Sequence, residues 1–337
     1  MKTRNTVEPE TQSQYENDAE RCGVKKYIDL QRDYAFKYAF GREGNEDLLL
    51  LLLDSLMPEK HIRSVSIGPQ EQIPDREDAK GGIYDINCQT DDDSYFNVEM
   101  QVCSQSDFND RMVYYSSYSI RNYVGKGAQM EIDKELKEGL ISKEEAEKKK
   151  LSQSFIRYKL PPIYIIGILN FELPGVEPSD SIIRSFSIRE DANGTVQFTG
   201  SVHYITVELP KFGKSLSQLE SRLDYMLYAI KKMGAMTGIP KKYNGKGFDK
   251  LFEVCTFASM PEDVQIQYVR QVMAEWDRQG QLATAIMEGE AKGRAEGRAE
   301  GRAEGRAETA KAMKLKGFTT QVIADITGLT PEQIAEL

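Results

Sequence analysis

Hydrophobic residues near the start of the chain follow helical spacing. Phe36 and Phe40 lie one helical turn apart and precede Gly41, which predicts a short helix that ends at this glycine. A block of leucines over 48–53 follows Asn45 and predicts a second, buried helix of about 12 residues with Asn45 as its N-cap. Both helices are expected to contribute to one hydrophobic core.

Alternating and continuous apolar segments predict the strands that follow. Three strands are expected over 61–67, 83–89 and 95–103. A helix is expected over 107–124, and a continuous apolar run over 163–169 has the length of a strand at the centre of a sheet. The order helix, three strands, helix and strand indicates an α/β layer arrangement.

A charged segment over 129–155 interrupts this order. Ser142 and Glu145 have the spacing of a capping box, so the segment is interpreted as an inserted, solvated helical hairpin, with a partner-binding segment as the alternative. Two further strands and three helices are predicted near 181–189, 202–208, 215–236, 248–258 and 262–287.

The sequence ends in a repetitive tail. Gly-Arg-Ala-Glu occurs four times over 293–308. In a helix this period places like charges at i and i+4, and each glycine destabilises the helix by about 1 kcal/mol relative to alanine. The tract is therefore predicted not to hold a helix alone, but to be a tether or a helix ordered only by self-association.

Three short helices are predicted after the repeat, over 310–316, 320–327 and 330–333. They fit a small helical hairpin that packs or oligomerises better than a helix-turn-helix, because a dense basic face is missing. The predicted organisation is a flexible lead-in, a main domain that contains the charged insertion, a repeat tether and a small helical end. These segments cover 1–26, 27–290 (insertion at 129–155), 291–308 and 309–337.

Composition limits the chemistry available to the chain of 337 residues. Lys and Arg number 44 against 53 Asp and Glu, a net charge of −9, so any nucleic acid must be bound through local basic patches or metal ions. The four cysteines are scattered and only two histidines occur, which favours reduced thiols and, for any metal, a hard cation held by carboxylates. Neither a membrane span nor a signal peptide is recognisable, so a cytosolic protein without membrane contact is expected.

Two carboxylates on neighbouring predicted strands form the candidate site. Glu99 and Gln101 lie two positions apart on one strand and share a face, and a tight hairpin can bring Asp85 beside Glu99. Two adjacent carboxylates are unfavourable unless a cation lies between them, and a divalent ion there can activate water for attack on phosphate. From spacing alone, an exposed hairpin with a polar face remains the favoured alternative.

A set of motifs resembles the PD-(D/E)XK nuclease family transposases, also called Rpn recombination-promoting nucleases. They are Asp33-Tyr-Ala-Phe-Lys-Tyr-Ala-Phe-Gly41, the leucine-rich helix, Gln70-Glu-Gln72, Pro74–Lys80, Tyr84–Cys88, Asn97-Val-Glu-Met-Gln-Val102 and Arg111–Ser116. The repeat tail and the Ile-Thr-Gly-Leu-Thr-Pro-Glu-Gln-Ile segment also resemble C-terminal ends of that family. The resemblance covers about 27–290 and is densest over 27–125.

This resemblance implies a restriction-endonuclease-like core, made of a helix, a three-strand antiparallel meander, a helix and a strand, with helical C-terminal additions. It implies a Mg²⁺-dependent DNA endonuclease, with Mn²⁺ as a substitute, in which Asp85 and Glu99 are catalytic metal ligands. Gln101 takes the place that the wider superfamily gives to lysine, an ExQ variant. Glutamine cannot supply a cation or act as a base, so Gln101 is expected to orient water or phosphate by hydrogen bonds.

Other side chains are candidates for DNA or metal contact. Arg111 and Lys80 are candidates for phosphate contact, and Lys241 and Lys242 belong to the basic segment 231–250, whose net charge is +5. Glu46 opens the leucine helix and is a candidate for the metal shell, as first-helix acids sometimes are in this superfamily. For each of these residues, an ordinary packing or surface role is the alternative.

The leading hypothesis is a bacterial cytoplasmic endonuclease that hydrolyses DNA phosphodiesters with Mg²⁺ in transposition or recombination. The alternative is a catalytically weak or inactive nuclease-fold protein that binds DNA or self-assembles, with the repeat tail as the site of homo-oligomerisation. The sequence leaves open the preferred nucleic acid, the oligomeric state and the role of the insertion.

Overall fold

A mixed six-stranded sheet forms the centre of the first part of the chain. The computed structural model describes residues 23–68, 86–151, 158–192 and 194–337, and the backbone of 71–72 and 82–83. Contacts divide the chain into two units, Met1–Val269 and Arg270–Leu337, and each is described by itself.

The strands of the first unit agree with the predicted order. They are β1 (Val65–Ile67), β2 (Glu71–Gln72), β3 (Gly82–Ile83), β4 (Ile86–Thr90), β5 (Tyr95–Gln101), β6 (Ile163–Leu169), β7 (Ile183–Ser187) and β8 (Val202–Glu208). The large sheet has the order β1-β4-β5-β6-β8-β7, and β2 pairs with β3 separately. Strands β1, β4 and β5 form the predicted antiparallel meander, whereas β6 is parallel to both β5 and β8.

The central strand β6 occupies the position that its sequence predicts. All seven of its residues, Ile163–Leu169, are buried, because β6 lies between two parallel neighbours and both of its faces are covered. The first predicted strand is shorter than expected. A 3₁₀ turn at Pro58–Lys60 and a left-handed backbone at His61, with φ of 49°, delay the start of β1 until Val65.

Helices pack on the sheet as the layer arrangement predicts. They are α1 (Asp33–Phe40), α2 (Glu46–Leu56), α3 (Phe108–Tyr123), α4 (Lys126–Lys137), α5 (Lys143–Leu151), α6 (Arg222–Lys232) and α7 (Asp249–Val254). Helix α3 packs against β6 through Phe108 and Met112. Gly167 allows this close approach, because a Cβ atom there would lie 3.1 Å from Cζ of Phe108.

Asn45 occupies the predicted N-cap position, and its carbonyl oxygen accepts from the backbone N–H groups of Leu48 and Leu49, but its side chain makes no capping hydrogen bond to α2. The Nδ2 atom instead donates to the carbonyl oxygens of Tyr38 and Ala39, which are among the last carbonyls of α1 and have no partner within that helix. Asn45 therefore stabilises the end of the first helix.

The charged insertion forms a helical hairpin of α4 and α5. The predicted capping box is present, since Ser142 N donates to Glu145 and Glu145 N donates to Ser142. Ion pairs join the two helices, with Nζ of Lys149 2.5 Å from Glu135 and Nζ of Lys150 2.8 Å from Asp133.

The second unit is helical. Helix α8 (Glu262–Leu315) begins before the division at Val269 and continues beyond it, and α9 (Thr320–Thr327) and α10 (Pro331–Glu336) follow. Ala310, Ile323 and Ile334 form the buried centre where these helices meet. Thr330 and Gln333 form the predicted capping box of α10.

The repeat tract is helical, which is the second of the two predicted states and not the tether. All of 293–308 belongs to α8, which is already helical on both sides of the tract. Extending an existing helix avoids the unfavourable nucleation step that an isolated tract would face. Two ion pairs at i and i+4, Arg294–Glu290 and Lys292–Glu296, stabilise the start of the tract. A role for self-association stays a prediction.

Candidate functional site

The odd-numbered residues of β5 face helix α3. The rings of Tyr95 and Tyr123 stack with their centroids 3.7 Å apart, and Nδ2 of Asn97 donates to Oγ of Ser119 at 2.5 Å. Because α3 runs back over the strand, residues further along β5 meet residues nearer the start of the helix. Glu99 therefore lies beside the first turn of α3, as its position in the strand alternation requires.

Arg111 in that first turn contacts both candidate side chains of β5. Its Nη2 atom lies 2.6 Å from Oε1 of Glu99 and 2.5 Å from Oε1 of Gln101. Its Nη1 atom donates to Oε1 of Gln105 at 2.5 Å. The side chains of Glu99 and Arg111 are 19% and 22% exposed, so the pair is partly shielded from water and still reachable.

The amide of Gln101 is engaged at both ends. Its Oε1 atom accepts from Arg111, and its Nε2 atom donates to the carbonyl oxygen of Cys103 at 3.1 Å. In this arrangement Gln101 holds Arg111, and orienting a water molecule would require the amide to give up one of these bonds.

Burial dominates the electrostatics of Glu99. It raises the pKa of the Glu99 carboxyl above its ordinary value, although the charge and hydrogen bond of Arg111 act in the opposite direction. Two residues of α1 also act on this pKa, since Asp33 raises it and Lys37 lowers it. The site therefore lies within electrostatic range of the first helix.

Asp33 and Lys37 are residues that the site prediction missed. Nζ of Lys37 donates to Oδ2 of Asp33 at 2.9 Å, one turn apart on α1. The signal was present in the sequence, because both residues belong to the Asp-x-x-Phe-Lys motif, which supported the resemblance without being assigned to the site.

Two predicted site residues, Asp85 and Lys80, lie outside the residues that the structure describes. Across the described ranges, no three or more His, Cys, Asp or Glu residues are grouped in a way that could hold a metal ion. The oxygen atoms of Glu99 and Gln101 nonetheless fit a hard cation. They are the ligand type that Mg²⁺ prefers, and they already converge on one positively charged nitrogen.

The remaining candidates lie at other places in the fold. Both carboxylate oxygens of Glu46 accept from the backbone N–H of Gly44, at 3.0 and 3.2 Å. In the described part of the chain this carboxylate therefore binds the turn that precedes α2. Lys242 donates to the carbonyl oxygen of Ser217, and Lys241 lies in the same short 3₁₀ turn with an exposed side chain.

Much of the basic segment 231–250 is bound within the protein. Lys231 donates to the carbonyl oxygens of Leu209 and Phe212, both at 2.7 Å. Lys250 pairs with Asp47. The net charge of +5 counted over this segment therefore overstates how many of these lysines are available to a phosphate backbone.

Comparison with known protein families gives a match over most of the chain. The model of the family described as PD-(D/E)XK nuclease family transposase matches residues 30–141 and 140–285, which together form most of the chain. No curated protein and no solved structure matches. None of the helices in the described residues is both long enough and apolar enough to cross a bilayer.

Proposed function

The chain belongs to the PD-(D/E)XK nuclease family transposases, and from this premise we propose that it is a Mg²⁺-dependent DNA endonuclease of the ExQ type acting in transposition or recombination. The family gives it a nuclease-type function linked to transposition. The observation that carries the proposal is the position of Glu99, a partly buried carboxylate on the inner strand β5, whose oxygen lies together with that of Gln101 at one cationic atom.

Asp85 is the proposed second metal ligand. The family resemblance supplies this aspartate through the motif Tyr84–Cys88, and the described β4–β5 ladder begins at the next residue, at the pair Ile86–Val98. The carboxylates of Asp85 and Glu99 would together hold the ion.

The chemistry of such a site is hydrolysis of a phosphodiester. Mg²⁺, when bound, polarises a phosphate oxygen and lowers the pKa of a bound water, and Mn²⁺ is the expected substitute. Asp85 and Glu99 would hold the ion, Gln101 would position the attacking water by a hydrogen bond, and the partly buried surroundings of Glu99 would shield the ion from much of the bulk water. Lys80, Arg111, Lys241 and Lys242 are the proposed contacts to DNA phosphates, and Glu46 remains a proposal for the metal shell.

A plasmid-nicking assay tests this function. Wild-type protein is expected to nick supercoiled DNA with Mg²⁺ and to stop when a chelator is added. Asp85→Ala and Glu99→Ala should each abolish nicking and weaken metal binding while the fold, followed by circular dichroism, is retained. Glu144→Ala on the exposed surface of α5 is the matched control and should cleave normally. Nicking that survives both site substitutions would exclude the proposal.

A second candidate function is DNA binding without cleavage. It is favoured by the state of Gln101, which replaces the usual lysine and has both ends of its amide engaged. Gel retardation of DNA by wild-type protein, with no nicking at any Mg²⁺ or Mn²⁺ concentration, would support this binder over the enzyme.

Self-assembly and location are further proposals. The exposed repeat tract of α8 is the proposed site of homo-oligomerisation, and deletion of 290–337 should lower the number of subunits, obtained from the mass measured in solution by light scattering. An unchanged number of subunits would remove this idea. The bacterial cytoplasm is the proposed location, which the free thiols of Cys88, Cys103 and Cys255 support.

A further inference from the structure

One nitrogen atom of Arg111 holds both side chains that cleavage would need. Its Nη2 atom donates to Oε1 of Glu99 at 2.6 Å and to Oε1 of Gln101 at 2.5 Å. Hard divalent cations take oxygen ligands of this kind. The guanidinium group and a divalent ion therefore compete for the same oxygen atoms.

The guanidinium group of Arg111 is hydrogen-bonded through Nη1 and Nη2 but not through Nε. Nη1 is anchored by Oε1 of Gln105, an exposed and uncharged residue just before α3. Nε is buried and has no hydrogen-bond partner. A buried donor without a partner is unfavourable, whereas hydrogen bonds to a carboxylate are among the strongest. The bonds to Glu99, Gln101 and Gln105, with the rings of Phe108 and Tyr115 beside the guanidinium, keep the side chain in a position that leaves Nε without a hydrogen bond.

We propose that Arg111 is a latch that occupies the cation position of Glu99 until a divalent ion displaces it, an inference that rests on the proposed function. In the latched state Oε1 of Glu99 and Oε1 of Gln101 are both bonded to Arg111. Displacement frees Glu99 to hold the ion and the Gln101 amide to orient water, and it lets Nε find a partner in solvent. Gln105 sets how firmly the latch closes, without adding charge.

The test measures direct binding of Mn²⁺ to the full-length protein without DNA. The electron paramagnetic resonance signal of the free ion reports how much Mn²⁺ is bound. Arg111→Gln should bind Mn²⁺ about tenfold or more tightly than wild type, which corresponds to about 1.4 kcal/mol. Gln105→Ala leaves the net charge unchanged and should tighten binding by about threefold, or roughly 0.6 kcal/mol. Arg121→Gln on the same helix is the matched control for loss of one positive charge.

The outcomes test the Arg111 latch and the proposed nuclease function separately. Equal or weaker Mn²⁺ binding by Arg111→Gln overturns the latch and leaves the nuclease proposal standing. An equal gain by Arg121→Gln assigns the effect to net charge and also overturns the latch. Absence of Mn²⁺ binding from wild type and from Arg111→Gln overturns the proposed function together with the latch. If Arg111→Gln does not fold, the charge-neutral Gln105→Ala variant decides, because damage to the site cannot tighten metal binding.

Discussion

Glu99 and Arg111 lie 12 residues apart in the chain, and Oε1 of the one is 2.6 Å from Nη2 of the other. The turn between β5 and α3 sends the helix back over its own strand, so the first turn of α3 covers the end of β5. This places a cation beside the candidate carboxylate within one strand–helix unit.

The raised pKa of Glu99 gives a pH dependence of stability with a definite sign. The folded protein binds the Glu99 proton more tightly than the unfolded chain, so the free energy of unfolding falls as pH rises from about 4.3 through the raised pKa. Glu99→Gln removes this contribution. We expect wild type to lose stability relative to the variant over this range in urea titrations. If the free energies of unfolding of wild type and Glu99→Gln changed with pH in parallel, the prediction would be contradicted.

A buried ion cluster at Glu208 should be sensitive to truncation. Glu208 is 1% exposed, with Oε2 2.8 Å from Nζ of Lys211 and 2.9 Å from the backbone N of Leu173. Glu208→Ala leaves a partly buried lysine without its partner, so we expect a loss of about 3–5 kcal/mol in denaturant unfolding. Glu144→Ala breaks an exposed pair and should change stability by less than about 1 kcal/mol. Similar effects of the two changes would contradict the prediction.

The charged hairpin is fixed to the domain by a close contact at Gly127. A Cβ atom there would lie 2.5 Å from the backbone C and O atoms of Leu160. Gly127→Ala should therefore destabilise the first unit by about 1–3 kcal/mol, because backbone must move. Gly213→Ala, where a Cβ meets nothing within 4 Å, should be neutral within about 0.5 kcal/mol in the same unfolding assay. A neutral Gly127→Ala would show that the hairpin is not held at this point.

The helical repeat tract should gain order from alanine. Gly297, Gly301 and Gly305 are helical, and a Cβ atom at each would meet nothing within 4 Å. Replacing all three by alanine should stabilise the local helix by about 1 kcal/mol per site. Amide hydrogen exchange of the tract is expected to slow, while Ala299→Gly should accelerate it. Exchange that is unchanged in both variants would indicate that the tract is not an independent helix.

Local patterns of apolar and polar residues predicted most of the strands and helices. The continuous apolar run of Ile163–Leu169 identified the central strand, and the alternation in Tyr95–Gln101 put Glu99 and Gln101 on one face. These predictions succeeded because they depend on the local period of side chains along a strand.

The influence of neighbouring elements was beyond such patterns. Asn45 has the residue type of an N-cap, yet its amide serves the preceding helix, because the turn brings it to the carbonyl oxygens of Tyr38 and Ala39. The composition of the repeat tract disfavours a helix in isolation, but helical residues on both sides remove the nucleation penalty. In both cases the neighbouring structure decided between conformations that the local sequence allows.

The amino-acid sequence by itself determined the layer arrangement, the motif residues Glu99 and Gln101, and the resemblance to a nuclease family. Only the tertiary structure decided that Arg111 lies at both of these side chains and that Asp33 and Lys37 act on the same carboxyl. The reason is physical. Periodicity specifies which face a side chain takes, whereas its charge partners depend on which helix end packs over that face.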